Sequence, residues 1–228
     1  MNYALCIMNY KYGPFLRFGR IVLRLGLKRL RIKGRENIVK PAIYIVHHQR
    51  FRGTLSVLAW FDIPVHVWML AVLCDKDTCY SHGMDYTFTR RYHFPRWLAV
   101  IPSYLQAVVL AAVAKSGEFI PVYRKSERVM ETFGISIEYL LKGENILIAP
   151  DKDYRSKSKE TGEIYSGFLV LEEKYYRQTG EHLAFIPLHI DSKAGDLIVF
   201  EPIYFRDGED FDKEKEIVKN GIVACLNG

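Results

Sequence analysis

Pro41-Ala42-Ile43-Tyr44-Ile45-Val46-His47-His48 sets five consecutive apolar residues directly before a histidine pair. An uninterrupted run of this length, rich in β-branched residues, reads as a central strand covered on both faces. Outward from it, short β-type runs recur at Val65–Leu70, Phe119–Val122, Ile146–Ala149, Leu183–Leu188 and Leu197–Tyr204. Helical patterns lie between them near residues 54–61, 104–114, 126–142, 166–178 and 211–226. Strands alternating with helices predict an α/β fold with a mostly parallel mixed sheet flanked by helices. Sites in such folds lie just beyond the carboxyl ends of strands. His47-His48 and Pro150-Asp151 occupy such positions.

The chain has 228 residues, 49% apolar and 25% charged, which excludes disorder, collagen-like repeats and low-complexity tails. Residues 1–60 carry 12 Lys and Arg against the single acid Glu36. The remaining residues carry 20 bases and 25 acids, so positive charge is concentrated in the first quarter. That quarter is suited to an anionic partner, either a membrane surface or a nucleic acid. Met1–Tyr12 lacks the pattern of a secretory leader, and four scattered cysteines do not form a disulfide framework. Cys74, Cys79 and His82 have the spacing of half a zinc site, but no second ligand pair accompanies them, so reduced thiols in a cytosolic protein are expected.

Within residues 1–32, a segment read as separate from the domain at 33–228, Arg17, Arg20, Arg24, Lys28 and Arg31 recur at helical spacing. They fall within an arc of roughly 80°, with Phe15, Phe18, Ile21, Val22, Leu25, Leu27 and Leu30 on most of the remaining circumference. This pattern predicts a basic amphipathic helix on an anionic membrane, cations at the phosphates and the apolar face in the acyl boundary. A surface helix packed on the domain gives the same pattern; nucleic acid is disfavoured because no recognition motif accompanies it. Trp97–Ala114 and Gly53–Cys74 are apolar but interrupted by Pro102, Gln106, Asp62 and Pro64, and read as buried elements. Trp97–Ala114 is also able to dip into a bilayer.

His47-His48 with Arg50 and Arg52 behind them pair a possible base with a place for an anion. The resemblance to a known family rests on four blocks. Lys33-Gly34-Arg35-Glu36-Asn37-Ile38 followed by Pro41–His48 resembles the entry of the glycerolipid acyltransferase family, which includes the 1-acylglycerol-3-phosphate acyltransferases. Phe119-Ile120-Pro121-Val122-Tyr123-Arg124 resembles its second block, Gly143–Asp151 its third, and Phe185-Ile186-Pro187-Leu188 its closing strand. The resemblance implies acyl transfer from acyl-CoA or acyl-carrier protein to a lysophospholipid hydroxyl. It places the reaction at the inner face of the cell membrane, without metal or organic cofactor and without nucleic acid.

It further implies that His48 is the base, that Arg124 holds the acceptor phosphate, and that Asp151 stands for the glutamate of the third block. Arg155 offers a further guanidinium for phosphate. The chain departs from the family in two respects: five residues past His48, where the family keeps the aspartate that orients its histidine, stands Gly53, and Lys152-Asp153-Tyr154 replaces the Gly-Thr-Arg of the third block. Three outcomes are open. Another carboxylate (Asp62, Asp151 or Asp153) reaches the ring, a carbonyl or water orients it, or the protein binds lipid without catalysis.

Overall fold

A computed structural model describes residues 12–124, 127–152 and 162–228. Seven strands are present among them, mostly parallel and flanked by helices, the α/β architecture expected from the alternation. The chain divides into two compact units. One comprises Arg20–Val65 and Gly134–Gly228, the other the residues up to Gly19 and His66–Phe133.

In the larger unit five strands lie in the order β1 (Arg31–Lys33), β7 (Asp196–Val199), β6 (Ala184–Asp191), β2 (Ala42–Val46), β5 (Ile146–Ile148). β1 runs parallel to β7, β7 antiparallel to β6, and β2 parallel to both of its neighbours. Every residue of β2 is buried, which is why its sequence shows no alternation. Tyr44 and Phe61 meet edge to face at 5.1 Å, and Phe185 contacts Phe168 and Phe205. The helices of this unit are α2 (Arg52–Trp60), α5 (Val170–Thr179) and α6 (Phe211–Asn227), the last capped by Asp210. α6 packs on β6. Helix α4 (Val129–Leu141) begins in one unit and ends in the other.

The smaller unit pairs β3 (His66–Leu70) in parallel with β4 (Ile120–Val122). Two short helices and a π-helix over Gly83–Arg91 follow β3. They lead into α3 (Arg96–Ser116), a 21-residue helix that contains Pro102. Expected to be buried over Trp97–Ala114, α3 instead exposes Trp97 (77%), Ile101, Tyr104 and Leu105. By length and composition it is able to cross a membrane.

The amphipathic helix at the start, α1 (Pro14–Gly26), is oriented opposite to expectation. Two arginines of its basic stripe turn toward the protein, whereas Arg17, Lys28 and Arg31 are exposed and the last two lie beyond the helix. Arg20 is 4% exposed and donates to the Phe61 carbonyl at 2.7 Å; Arg24 donates to the Ala59 carbonyl at 2.7 Å and lies over Trp60. Both acceptors belong to the C-terminal end of α2, where carbonyls lack helical partners and no basic residue occupies the last turn. Arg17 donates to the Tyr12 carbonyl, Lys28 to those of Ser192 and Lys193, and Arg31 pairs with Asp196 at 2.8 Å. Phe15, Phe18, Ile21, Val22 and Leu25 are the exposed side, Leu25 at 85%. Of the five cations expected to meet lipid phosphate, Arg20 and Arg24 are therefore turned onto carbonyls of the protein itself.

Candidate active site

The pairing register brings the site together. Ile45 of β2 is level with Ile148 of β5, so the residues that follow both strands leave the sheet at one edge, side by side. His47 follows β2 and Asp151 follows β5 through Ala149 and Pro150. The Asp151 backbone is fixed by an antiparallel bridge to buried Ile164, with the Tyr165 amide donating to the Pro150 carbonyl. Its side chain is 4% exposed and grips the histidine pair with both oxygens. Oδ1 takes a hydrogen bond from His47 Nδ1, and Oδ2 takes one from the His48 backbone amide at 2.7 Å.

Of the three candidate carboxylates, Asp62 pairs with Arg35 at 2.7 Å, Asp153 lies outside the described residues, and Asp151 reaches the pair. The ring it orients is that of His47 rather than His48. His47 is 6% exposed, and a narrow crevice beside it is walled by Leu188, His189, Ile190 and Leu226. His189 Nδ1 is held by the Leu226 carbonyl at 2.8 Å, so the end of α6 forms one side of that crevice. The His48 ring is held by the turn that follows it, its Nδ1 accepting the Phe51 amide hydrogen at 3.1 Å.

That turn is strained. Gln49 and Phe51 have φ of 43° and 78°, left-handed values that cost about 1–3 kcal/mol each for a side-chain-bearing residue. Gly53, the second residue of α2, lies directly against the strand end. A Cβ placed there would stand 1.8 Å from the His47 carbonyl oxygen. The position that holds an aspartate in the family pattern has no room here for any side chain, and the carboxylate arrives from the neighbouring strand instead.

A carboxylate on Nδ1 fixes the tautomer of His47, leaves the ring lone pair on Nε2, and stabilises the imidazolium formed when Nε2 takes a proton. An imidazole held in this way has the chemistry a general base needs. Arg52, the first residue of α2, is exposed just beyond the pair. Arg50 belongs to the same turn. Arg124 follows β4 in the smaller unit and is exposed. Arg155 falls outside the described residues. Cys74 and Cys79 form no disulfide, and burial pushes the Cys74 thiol up to about 11. The exchange of His47 for His48 was not visible in sequence, because which ring meets Asp151 depends on strand register. The one sequence signal was Asp151 itself, three residues past β5.

No family model and no curated protein matches the sequence. Among solved structures, the chain resembles the 1-acyl-sn-glycerophosphate (LPA) acyltransferase PlsC from Thermotoga maritima. The TM-score is 0.52 at 12% identity, over 93% of this chain and 77% of that one. At that identity the likeness establishes the fold, and the fold is that of the PlsC acyltransferase.

Proposed function

We propose that the protein transfers an acyl group from a thioester, acyl-CoA or acyl-carrier protein, to a hydroxyl of a lysophospholipid or related glycerolipid. The observation that carries this reading is the Asp151 carboxylate on His47 Nδ1 and on the His48 amide, at adjacent strand ends of an acyltransferase-like fold. His47 Nε2 takes the proton of the acceptor hydroxyl as its oxygen attacks the thioester carbonyl carbon. The proton then passes to the departing sulfur, and Asp151 supports the imidazolium between the two steps. Arg50, Arg52, Arg124 and Arg155, the arginines the sequence singles out for an anion, belong to the same proposal as candidate ligands of an acceptor phosphate.

The reaction belongs at a membrane surface on the inner face of the cell membrane. The apolar side of α1 and the exposed apolar residues of α3 suit the acyl boundary of a bilayer, whose hydrocarbon is their natural solvent. Arg20 and Arg24 hold α1 on the protein, so the membrane is met by Phe18 and Leu25 beside the exposed Arg17, Lys28 and Arg31. A second reading, lipid binding without catalysis, draws on the absence of the family aspartate at Gly53.

Purified protein incubated with labelled acyl-CoA or acyl-carrier protein and a panel of lysolipids separates the two. Acyl transfer by wild type that His47→Ala abolishes supports the enzyme. Vesicle binding with no product from either protein supports the alternative.

A further inference from the structure

Within the smaller unit, α3 has two unlike sides. Ala99, Ser103, Ala107 and Ala114 are its buried residues, and it packs on the helix Lys76–His82 and the π-helix Gly83–Arg91. The fit there is close: a Cβ on Gly83 would stand 2.9 Å from the Ser103 side chain. On the other side Trp97, Ile101, Tyr104, Leu105, Val108 and Val109 are exposed, Ile101 at 71%. Their spacing sets them along one helical stripe, and no charged residue falls between Arg96 and Lys115. A long apolar stripe left in water marks a contact with another apolar phase.

The neighbours of α3 decide how it meets a bilayer. Lys76 Nζ lies 5.0 Å from the centre of the Tyr104 ring, and Tyr104 stands close to the midpoint of the helix. A helix crossing the bilayer would carry that ammonium, and the exposed Asp77 and Asp85 of the elements packed on it, into hydrocarbon, where charge is strongly disfavoured. A helix lying flat keeps these charges among the headgroups while its exposed side enters the acyl boundary. Both ends suit that placement. Arg90, Arg91 and Arg96 stand at the first, beside exposed Tyr92, Phe94 and Trp97, and Lys115 at the second; Asp85 pairs with Arg96 at 3.2 Å. Aromatic rings and cations together are the composition of a membrane–water boundary, and the excess of cations complements anionic headgroups.

We propose that α3 lies flat in the boundary of an anionic phospholipid bilayer, as an in-plane anchor of the smaller unit, and does not cross it. The proposal rests on the membrane placement given above and is independent of whether acyl transfer occurs.

Depth-dependent quenching of tryptophan by brominated phospholipids tests it in the full chain. Trp60→Phe and Trp68→Phe leave Trp97 alone of the three tryptophans. Adding Trp97→Phe with Ile101→Trp, Tyr104→Trp or Val108→Trp moves the probe along about 16 Å of helix axis. In vesicles of phosphatidylglycerol and phosphatidylcholine, all four positions are expected at one shallow depth, quenched best by bromine close to the headgroups. A depth that changes steadily from position 97 to 108 overturns the proposal in favour of a crossing helix. Vesicle binding without quenching at any of the four overturns it too, and leaves contact through α1. Ile101→Glu combined with Leu105→Glu should weaken vesicle binding at least about tenfold at the wild-type melting temperature, because both side chains are exposed; retained affinity overturns the proposal. Arg90→Gln with Arg91→Gln should weaken binding to the anionic vesicles about 25-fold and binding to phosphatidylcholine alone far less; an equal loss on both overturns the choice of anionic headgroups. Absence of vesicle binding by wild type refutes the membrane placement and the flat anchor together.

Discussion

Restoring the family aspartate at position 53 should destroy activity rather than improve it. The Cβ of any residue at Gly53 would lie 1.8 Å from the His47 carbonyl oxygen and 3.0 Å from its carbon, whereas ordinary contact begins at 3.4 Å. The strand end or the start of α2 must therefore move by about 1.6 Å. The Gly53 amide also donates to the His48 carbonyl at 3.2 Å, so the movement falls on the histidine pair itself. Misplacement of reacting groups by about 1 Å costs about 10²-fold in rate. Gly53→Asp should thus lower kcat/KM for acyl transfer by at least about 10²-fold, and Gly53→Ala by a similar factor because the clash begins at Cβ. Initial rates with labelled acyl-CoA, read beside the melting temperature of each variant, provide the assay. Gly53→Asp that folds normally and matches or exceeds wild type would refute the placement of Gly53 and the reason given for its presence.

Three further outcomes follow from the packing. Phe18→Glu combined with Leu25→Glu should release the protein from phospholipid vesicles in a sedimentation assay while leaving the melting temperature close to wild type; retained binding would contradict contact through the apolar side of α1. Arg20→Ala should leave the Phe61 carbonyl without its donor and cost about 1–3 kcal/mol in urea unfolding, and an unchanged midpoint would contradict the inward stripe. His182 lies between Glu172 Oε1 at 2.6 Å and Asp207 Oδ1 at 3.0 Å; burial pulls its pKa down, but the two carboxylates outweigh that and hold it above the ordinary value. A raised folded-state pKa contributes stability in full below the unfolded value of about 6.5 and loses it as pH rises through the folded one. His182→Gln should therefore lower the melting temperature most near pH 6 and least near pH 9, and an equal drop at both would contradict the pairing.

Ala42–Val46 was legible because burial on both faces leaves its mark residue by residue, and β5 was found within a residue for the same reason; β6 continues to Asp191, past its apolar run, and β7 stops at Val199, short of Tyr204. β1 was not, since Arg31-Ile32-Lys33 is too short to show alternation and is stabilised by parallel pairing with β7 and by Asp196 on Arg31 and Lys33. The α1 stripe was correct as a pattern and reversed in direction at Arg20 and Arg24. A helical wheel gives the arc of the arginines, but only tertiary contact shows that the carbonyls ending α2 lie against them. For α3, hydropathy registered an apolar helix without indicating whether protein or another apolar phase would cover it. Asp151 stood out at a strand end, whereas its preference for the His47 ring depends on β2 and β5 being adjacent and in register.

The central claim is that Asp151 orients His47 as the base, and the turnover number of Asp151→Asn with acyl-CoA and lysophospholipid tests it most directly. Asparagine keeps the volume and an oxygen for the His48 amide, but loses the charge that supports the His47 imidazolium. Removing the carboxylate of a serine-protease triad lowers turnover by about 10⁴, and a loss of about 10³–10⁴ in kcat at near-normal melting temperature is expected here. A folded Asp151→Asn enzyme within about threefold of wild type, well short of that loss, would contradict the account.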